Sequence, residues 1–161
     1  MKRAIYGILA AAAIVAFTAW WFSPGQVLKR RTESLLETLT LDRDSTRTSR
    51  HMKTYALNAR LAGEVELETP TISEANGRFE RSQLEEGFGW LCSTAKETFF
   101  KVERFTSVTV DGDEGRVTLR LDGMVELPSY RPVDGTFEVD FDWRKEKDGW
   151  RLTRASWREA R

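Results

Sequence analysis

The last sixty residues hold the pattern that most restricts the fold. Apolar and polar residues alternate through Val117, Leu119, Leu121, Val125 and Leu127, and again through Val133, Phe137, Val139, Phe141 and Trp143. A period of two marks strands with one covered and one wet face. Lys101–Val110 reads as a strand before them and Trp150–Glu159 as a strand after them. The connections are turns: Asp111 to Gly115, a loop bounded by Pro128 and Pro132, and Asp148-Gly149 as a two-residue hairpin turn. No helix intervenes, so these four strands must run antiparallel. The wet face carries Arg116, Thr118, Arg120 and Asp122 on one strand and Glu138, Asp140 and Asp142 on the next.

A sheet with one apolar face needs a cover, and the first hundred residues supply helices. Leu28, Thr32, Leu35, Leu36 and Leu39 fall on one helical stripe. Asp44 or Ser45 caps a second helix running to about Leu61, with Met52, Tyr55, Ala56 and Ala59 expected inward and Gly63 as its stop. Glu64–Leu67 alternates as a short strand. Thr69-Pro70 and Asn76-Gly77 mark turns around a further extended piece. Ser82-Gln83-Leu84-Glu85 has the capping-box pattern, and Leu84, Phe88, Leu91, Cys92, Ala95 and Phe99 trace one face of the helix after it. With 11 Gly and 4 Pro in 161 residues, a folded domain rather than a disordered tail is expected.

Ahead of this domain, Ala4 to Phe22 are uncharged and mostly apolar, close to the length that crosses a bilayer core of roughly 30 Å. Lys2 and Arg3 precede the segment, and Trp20, Trp21 and Phe22 close it with interfacial aromatics. Residues 1–25 therefore read as a membrane anchor ending in a Pro24-Gly25 hinge, and residues 26–161 as the α+β domain. A cleaved signal peptide is the rival, with Ser23-Pro24-Gly25 offering small residues. The basic start favours a domain on the outer side of the membrane, while Lys29, Arg30 and Arg31 argue for the reverse.

Charge is balanced, with 25 basic and 25 acidic residues, but unevenly spread. Residues 27–60 hold eight basic against four acidic, a stretch that anionic headgroups would attract. The acidic body has no basic face interleaved with aromatics, so a nucleic-acid partner is not expected. One cysteine, Cys92, and one histidine, His51, exclude an intrachain disulfide and a His/Cys zinc site. No Walker loop, dinucleotide glycine pattern, HExxH or GxSxG occurs, and no cofactor is implied.

This order of elements resembles the nuclear transport factor 2-like superfamily, which includes ketosteroid isomerase-like and SnoaL-like proteins. Asn76-Gly77-Arg78-Phe79 looks like that family's lead into its third helix. Trp143 followed by Asp148-Gly149-Trp150-Arg151-Leu152 resembles its final hairpin. The resemblance spans about residues 28–159. It implies a cone-shaped curved antiparallel sheet wrapped over three helices, an open end able to hold a small apolar ligand, and dimers packed sheet to sheet. A membrane segment ahead of such a domain also resembles tethered components of secretion machines.

Candidate residues follow from parity. If Asp148-Gly149 is the turn, Trp143 pairs with Arg154, so Trp150, Leu152, Arg154 and Ser156 point inward. A pocket would then be lined by Tyr55, Phe88, Leu91, Phe137, Phe141, Trp143 and Arg154, with Arg154 stacked on Trp143 for an anionic ligand. Asp140 and Asp142 belong to the wet face, where they pair with Arg116 or Arg120 rather than act as acid and base. His51 and Tyr55 share a helix face and could polarise a carbonyl, but neighbouring Arg50 and Lys53 read as a surface row. Cys92 reads as core. Met124 and Trp157 have outward parity and would seed an interface, including a homodimer. No catalytic residue is assigned. The leading expectation is a tethered interaction or assembly module of the cell envelope. The alternative is a binding protein for a small apolar or anionic molecule, and an isomerase, dehydratase or cyclase comes third.

Overall fold

The structure, a computed structural model, describes residues 2–69 and 75–160. Pro70, expected in a turn, lies outside the described residues. Helix α1 (Lys2–Trp21) leads into α2 (Pro24–Leu39), then α3 (Arg47–Asn58), β1 (Leu61–Glu68), β2 (Gly77–Glu80), α4 (Arg81–Thr94), β3 (Glu97–Asp111), β4 (Glu114–Glu126), β5 (Val133–Glu146) and β6 (Gly149–Glu159). One six-stranded sheet runs in the order β2-β1-β6-β5-β4-β3. The four long strands are antiparallel, as their turns dictate. The sheet as a whole is mixed, because β1 runs parallel to β6. That pairing corrects the all-antiparallel expectation. The α4 and β3–β5 segments between β1 and β6 supply the long crossover that a parallel pair needs.

The helical run breaks at Phe22 and Ser23 with a bend of 56°, and Pro24 begins α2 just after it, in the first turn, where its missing N–H costs nothing. Leu28, Thr32, Leu35 and Leu36 are buried against the sheet, so the stripe read from the sequence is the stripe that packs. Leu28 lies over β4 at Gly115, where any Cβ would stand 2.3 Å from its Cδ1. By contrast, every described side chain of α1 from Ile8 to Trp21 is exposed. Among the described residues no single helix is long and apolar enough to cross a membrane. Ile8–Trp21 and Pro24–Leu39 meet that test only as a pair bent by 56°.

The orientation of α3 differs from expectation. Met52 is 67% and Tyr55 75% exposed, Ala59 is exposed, and Leu57 is the buried residue. The inward face is largely polar. Arg50 donates to the carbonyls of Asp42, Cys92, Ala95 and Lys96, Thr54 lies by the Cys92 sulfur, and Asn58 donates to Glu85. Arg50 thereby satisfies carbonyls at the C-terminal end of α4, which an apolar side chain could not do. The cap is Thr46, whose hydroxyl accepts the Ser49 N–H. For α4 the capping box is Glu80 with Gln83, two residues earlier than Ser82 and Glu85.

The β5–β6 hairpin turns through Lys147 and Asp148, with Glu146 opposite Gly149. Trp143 faces Leu152, yet Asp142 faces Arg154, so Thr153 is the extra residue of a β-bulge. The Thr153 hydroxyl donates to the Asp142 carbonyl. The bulge reverses the parity of everything after Leu152. Arg154 and Ser156 turn to the outer face, and Ala155 and Trp157 turn inward. Both the inward placement of Arg154 and the outward placement of Trp157 are corrected by this one residue.

Candidate functional site

Between the helices and the concave face of the sheet lies an open cavity of about 550 Å³. Leu35 and Leu39 of α2 and Leu57 of α3 form one wall. Leu61, Val65 and Leu67 of β1, Phe141 of β5, and Leu152, Ala155 and Trp157 of β6 form the opposite one. Phe79 of β2 and Leu84, Phe88, Trp90 and Leu91 of α4 complete it. No ionisable side chain appears in the described lining; its side-chain polar groups are those of Thr69 and Gln83 and the indole N–H groups of Trp90 and Trp157. Gln83, Gly87 and Trp90 lie along one side of α4, line the cavity and are all exposed, so they form its lip. Trp90 is 58% exposed there.

Of the residues expected to line a pocket, the structure brings together Phe88, Leu91 and Phe141. Trp143 is 1% exposed and lies edge-on to Phe141 at 6.5 Å, backing the wall rather than lining it. Phe137 points inward but beyond the cavity, its ring near Gly135. Tyr55 faces solvent beside His51, ring centroids 6.2 Å apart, so that pair addresses no enclosed ligand. Arg154 is on the outer face, 2.5 Å from Glu68 and 3.5 Å from Asp142. Its bond to Glu68 above all holds the guanidinium still further above its usual range, so it is not waiting for an anion. The residues missed by parity are Trp157, hidden by the bulge, and Phe79, Gln83, Gly87 and Trp90, read only as a turn and a helix.

The outer face is a charge ladder. Arg116 binds Asp142 at 2.6 Å, Arg120 lies 2.9 Å from Glu103, and Arg158 lies 3.1 Å from Glu138. Thr118 donates to Asp140 and Thr136 to Asp122. Met124 sits half-buried on this face, whereas Trp157 is on the other, so the two do not form one interface. Cys92 is buried, and burial pushes its thiol up. Among the described residues no His, Cys, Asp and Glu cluster could hold a metal ion.

No family model matches the chain, and no curated protein matches its sequence. Solved structures do match in shape. A candidate aromatic ring hydroxylase from Novosphingobium aromaticivorans superposes with a TM-score of 0.66 at 14% identity, covering 84% of this chain and 87% of its own. A candidate dehydratase of the NTF2-like family from Streptomyces avermitilis gives 0.63 at 14% identity, covering 85% and 96%. The CaMKII hub of S. rosetta gives 0.61 at 16% identity, covering 86% and 98%. Identities this low speak for shape alone. The shape is the α+β cone of the NTF2-like fold.

Proposed function

We propose that the chain is a membrane-tethered binding protein that holds a small apolar molecule in its cone and performs no chemistry on it. One observation carries this reading: a cavity of about 550 Å³, within the size range of small-molecule sites, whose described lining is apolar and holds no ionisable side chain. General acid–base chemistry needs a titratable group within hydrogen-bond reach of the substrate. Solved proteins of the same fold carry dehydratase and hydroxylase names, so the fold accommodates small-molecule sites. An assembly module would be favoured by a cone filled with its own aromatics. Here the cone is open, and the outer face is charged and internally paired.

The tether rests on α1. Twenty helical residues extend about 30 Å, and an apolar helix whose described side chains from Ile8 to Trp21 are exposed needs an apolar surrounding. The bent pair is not itself a span in this reading, because α2 spends its apolar stripe on the sheet. Trp20, Trp21 and Phe22 then mark the boundary, with the domain on the outer side.

Native mass spectrometry of the full chain released from its own membranes tests the binding role. A co-purifying small mass, lost when Gly87→Trp fills the lip, is the expected result. An empty cavity together with a defined homo-oligomer would turn the assignment toward assembly.

A further inference from the structure

We infer that the cavity selects uncharged molecules carrying a hydrogen-bond acceptor at one end, read at the lip by the side-chain amide of Gln83. The inference rests on the apolar-ligand reading above and specifies the ligand that reading leaves open.

Gln83 is the third residue of α4, and its Oε1 accepts the Glu80 backbone N–H at 2.8 Å. That bond fixes which end of the amide is which. The oxygen is engaged, so Nε2 with its two N–H donors is the end left to a ligand. An acceptor such as a ketone, ether or hydroxyl oxygen complements it; a second donor does not. The group lies at the mouth, so the ligand enters body first. The body rests among Phe79, Phe88, Phe141 and Trp157, and its polar end stays at the lip.

The same surroundings select against anions. A carboxylate inside the cavity would find no described cation in the lining, and an unpaired buried charge is expensive. At the lip it would meet Glu80 and Glu86 on either side of Gln83. The cations nearby are engaged elsewhere: Arg78 lies 3.7 Å from Glu64, Arg81 donates to the Ala62 carbonyl, and Arg154 is held by Glu68 and Asp142 on the far face.

Three probes with one ring system separate these effects: anthracene, 9-acetylanthracene and 9-anthroate. Each is titrated at pH 8 against the full chain in phosphatidylcholine nanodiscs, with empty nanodiscs correcting for partition into lipid. Energy transfer from tryptophan reads binding. The expected order is 9-acetylanthracene tighter than anthracene by about 3- to 10-fold, the worth of one neutral hydrogen bond, with 9-anthroate weakest. Gln83→Ala should bring the ketone down to the affinity that anthracene shows in the same variant. Gln83→Glu keeps an acceptor for the Glu80 N–H, so helix capping survives, and should weaken the ketone at least as much. Equal affinities for the three probes, tighter binding of 9-anthroate, or a ketone affinity indifferent to both substitutions would overturn the inference while the cavity stands as a ligand site. If not even anthracene binds, both the inference and the apolar-ligand reading fall.

Discussion

At Gly87 the helix and the cavity make opposite demands. A glycine inside α4 costs helix stability, and a Cβ there meets nothing within 4 Å. Gly87→Ala should therefore stabilise the domain by about 0.5–1 kcal/mol in urea titrations. Gly87→Trp should close the lip and abolish retention of the small molecule without unfolding the chain. A glycine at this position makes sense as clearance for a mouth, and a destabilised Gly87→Ala would show that the local packing is tighter than the structure has it. Cys92 tests burial on the other side of the same helix. Burial raises its thiol above the ordinary value of 9.0. Below about pH 8 folded and unfolded chains both hold the proton, and the thiol adds no pH dependence. As pH passes 9 the unfolded chain releases a proton that the folded chain retains, so stability falls. The urea midpoint should drop more between pH 7 and pH 10 for the native chain than for Cys92→Ala. Equal drops in the two proteins would mean that the thiol ionises freely in the fold.

Among the elements, α3 and β6 were the ones whose faces the alternation rules misassigned, each for a physical reason. In α3 the rule sends apolar residues inward, which picks out Met52 and Tyr55. The real inward face is chosen by Arg50, which reaches four carbonyls and the Ser45 hydroxyl. A hydrophobicity pattern cannot register a helix that docks through hydrogen bonds to another helix's end. Arg50→Ala should cost about 2–3 kcal/mol, since hydrogen bonds to a charged donor are lost and part-buried carbonyls lose their partner. Arg50→Lys should recover little, because one ammonium cannot span the fork. A loss below about 0.5 kcal/mol in a denaturant titration would mean that water replaces the guanidinium. In β6 the signal was present in the sequence. Trp150 and Leu152 are two apart, Ala155 and Trp157 are two apart, but Leu152 and Ala155 are three apart. That skipped beat is what a bulge looks like in sequence, and it moved Arg154 out and Trp157 in. The strands β3 to β5, the α2 stripe and the wet-face carboxylates were legible because each depends on local period alone. The parallel β1–β6 pair and the cavity lip were not, because they depend on where distant segments meet.

At the scale of the whole molecule, α2 joins two bodies of opposite character. Its buried stripe belongs to the domain core, and only Phe22 and Ser23 separate its first residue from a helix whose described side chains from Ile8 to Trp21 are exposed. The link is short and bonded: the Phe22 N–H donates to Thr18, the Ser23 N–H to Trp20 and the Val27 N–H to Ser23. Across it the Arg30 guanidinium stacks on Trp21 at 4.4 Å. With α1 as the proposed tether, anchorage and stability would be separate. Removing residues 1–22 leaves Ser23 and Pro24 to start α2 and leaves every residue of the core in place. What is lost is the stack on Trp21, worth about 0.5–1 kcal/mol at an exposed site. The shortened chain should therefore unfold within about 1 kcal/mol of the full chain in urea, while needing no detergent to stay in solution and no longer sedimenting with membranes after alkaline carbonate. Cavity volume should be untouched, since Leu35 and Leu39, the α2 residues that line it, lie three to four turns from the cut. A shortened chain that aggregates would show that α1 shields an apolar surface of the domain. A full chain that carbonate extracts would show that α1 rests on the membrane or on a protein rather than in the bilayer. If both behave as expected, the apolar helix serves location alone, and binding by the cone can be studied without it.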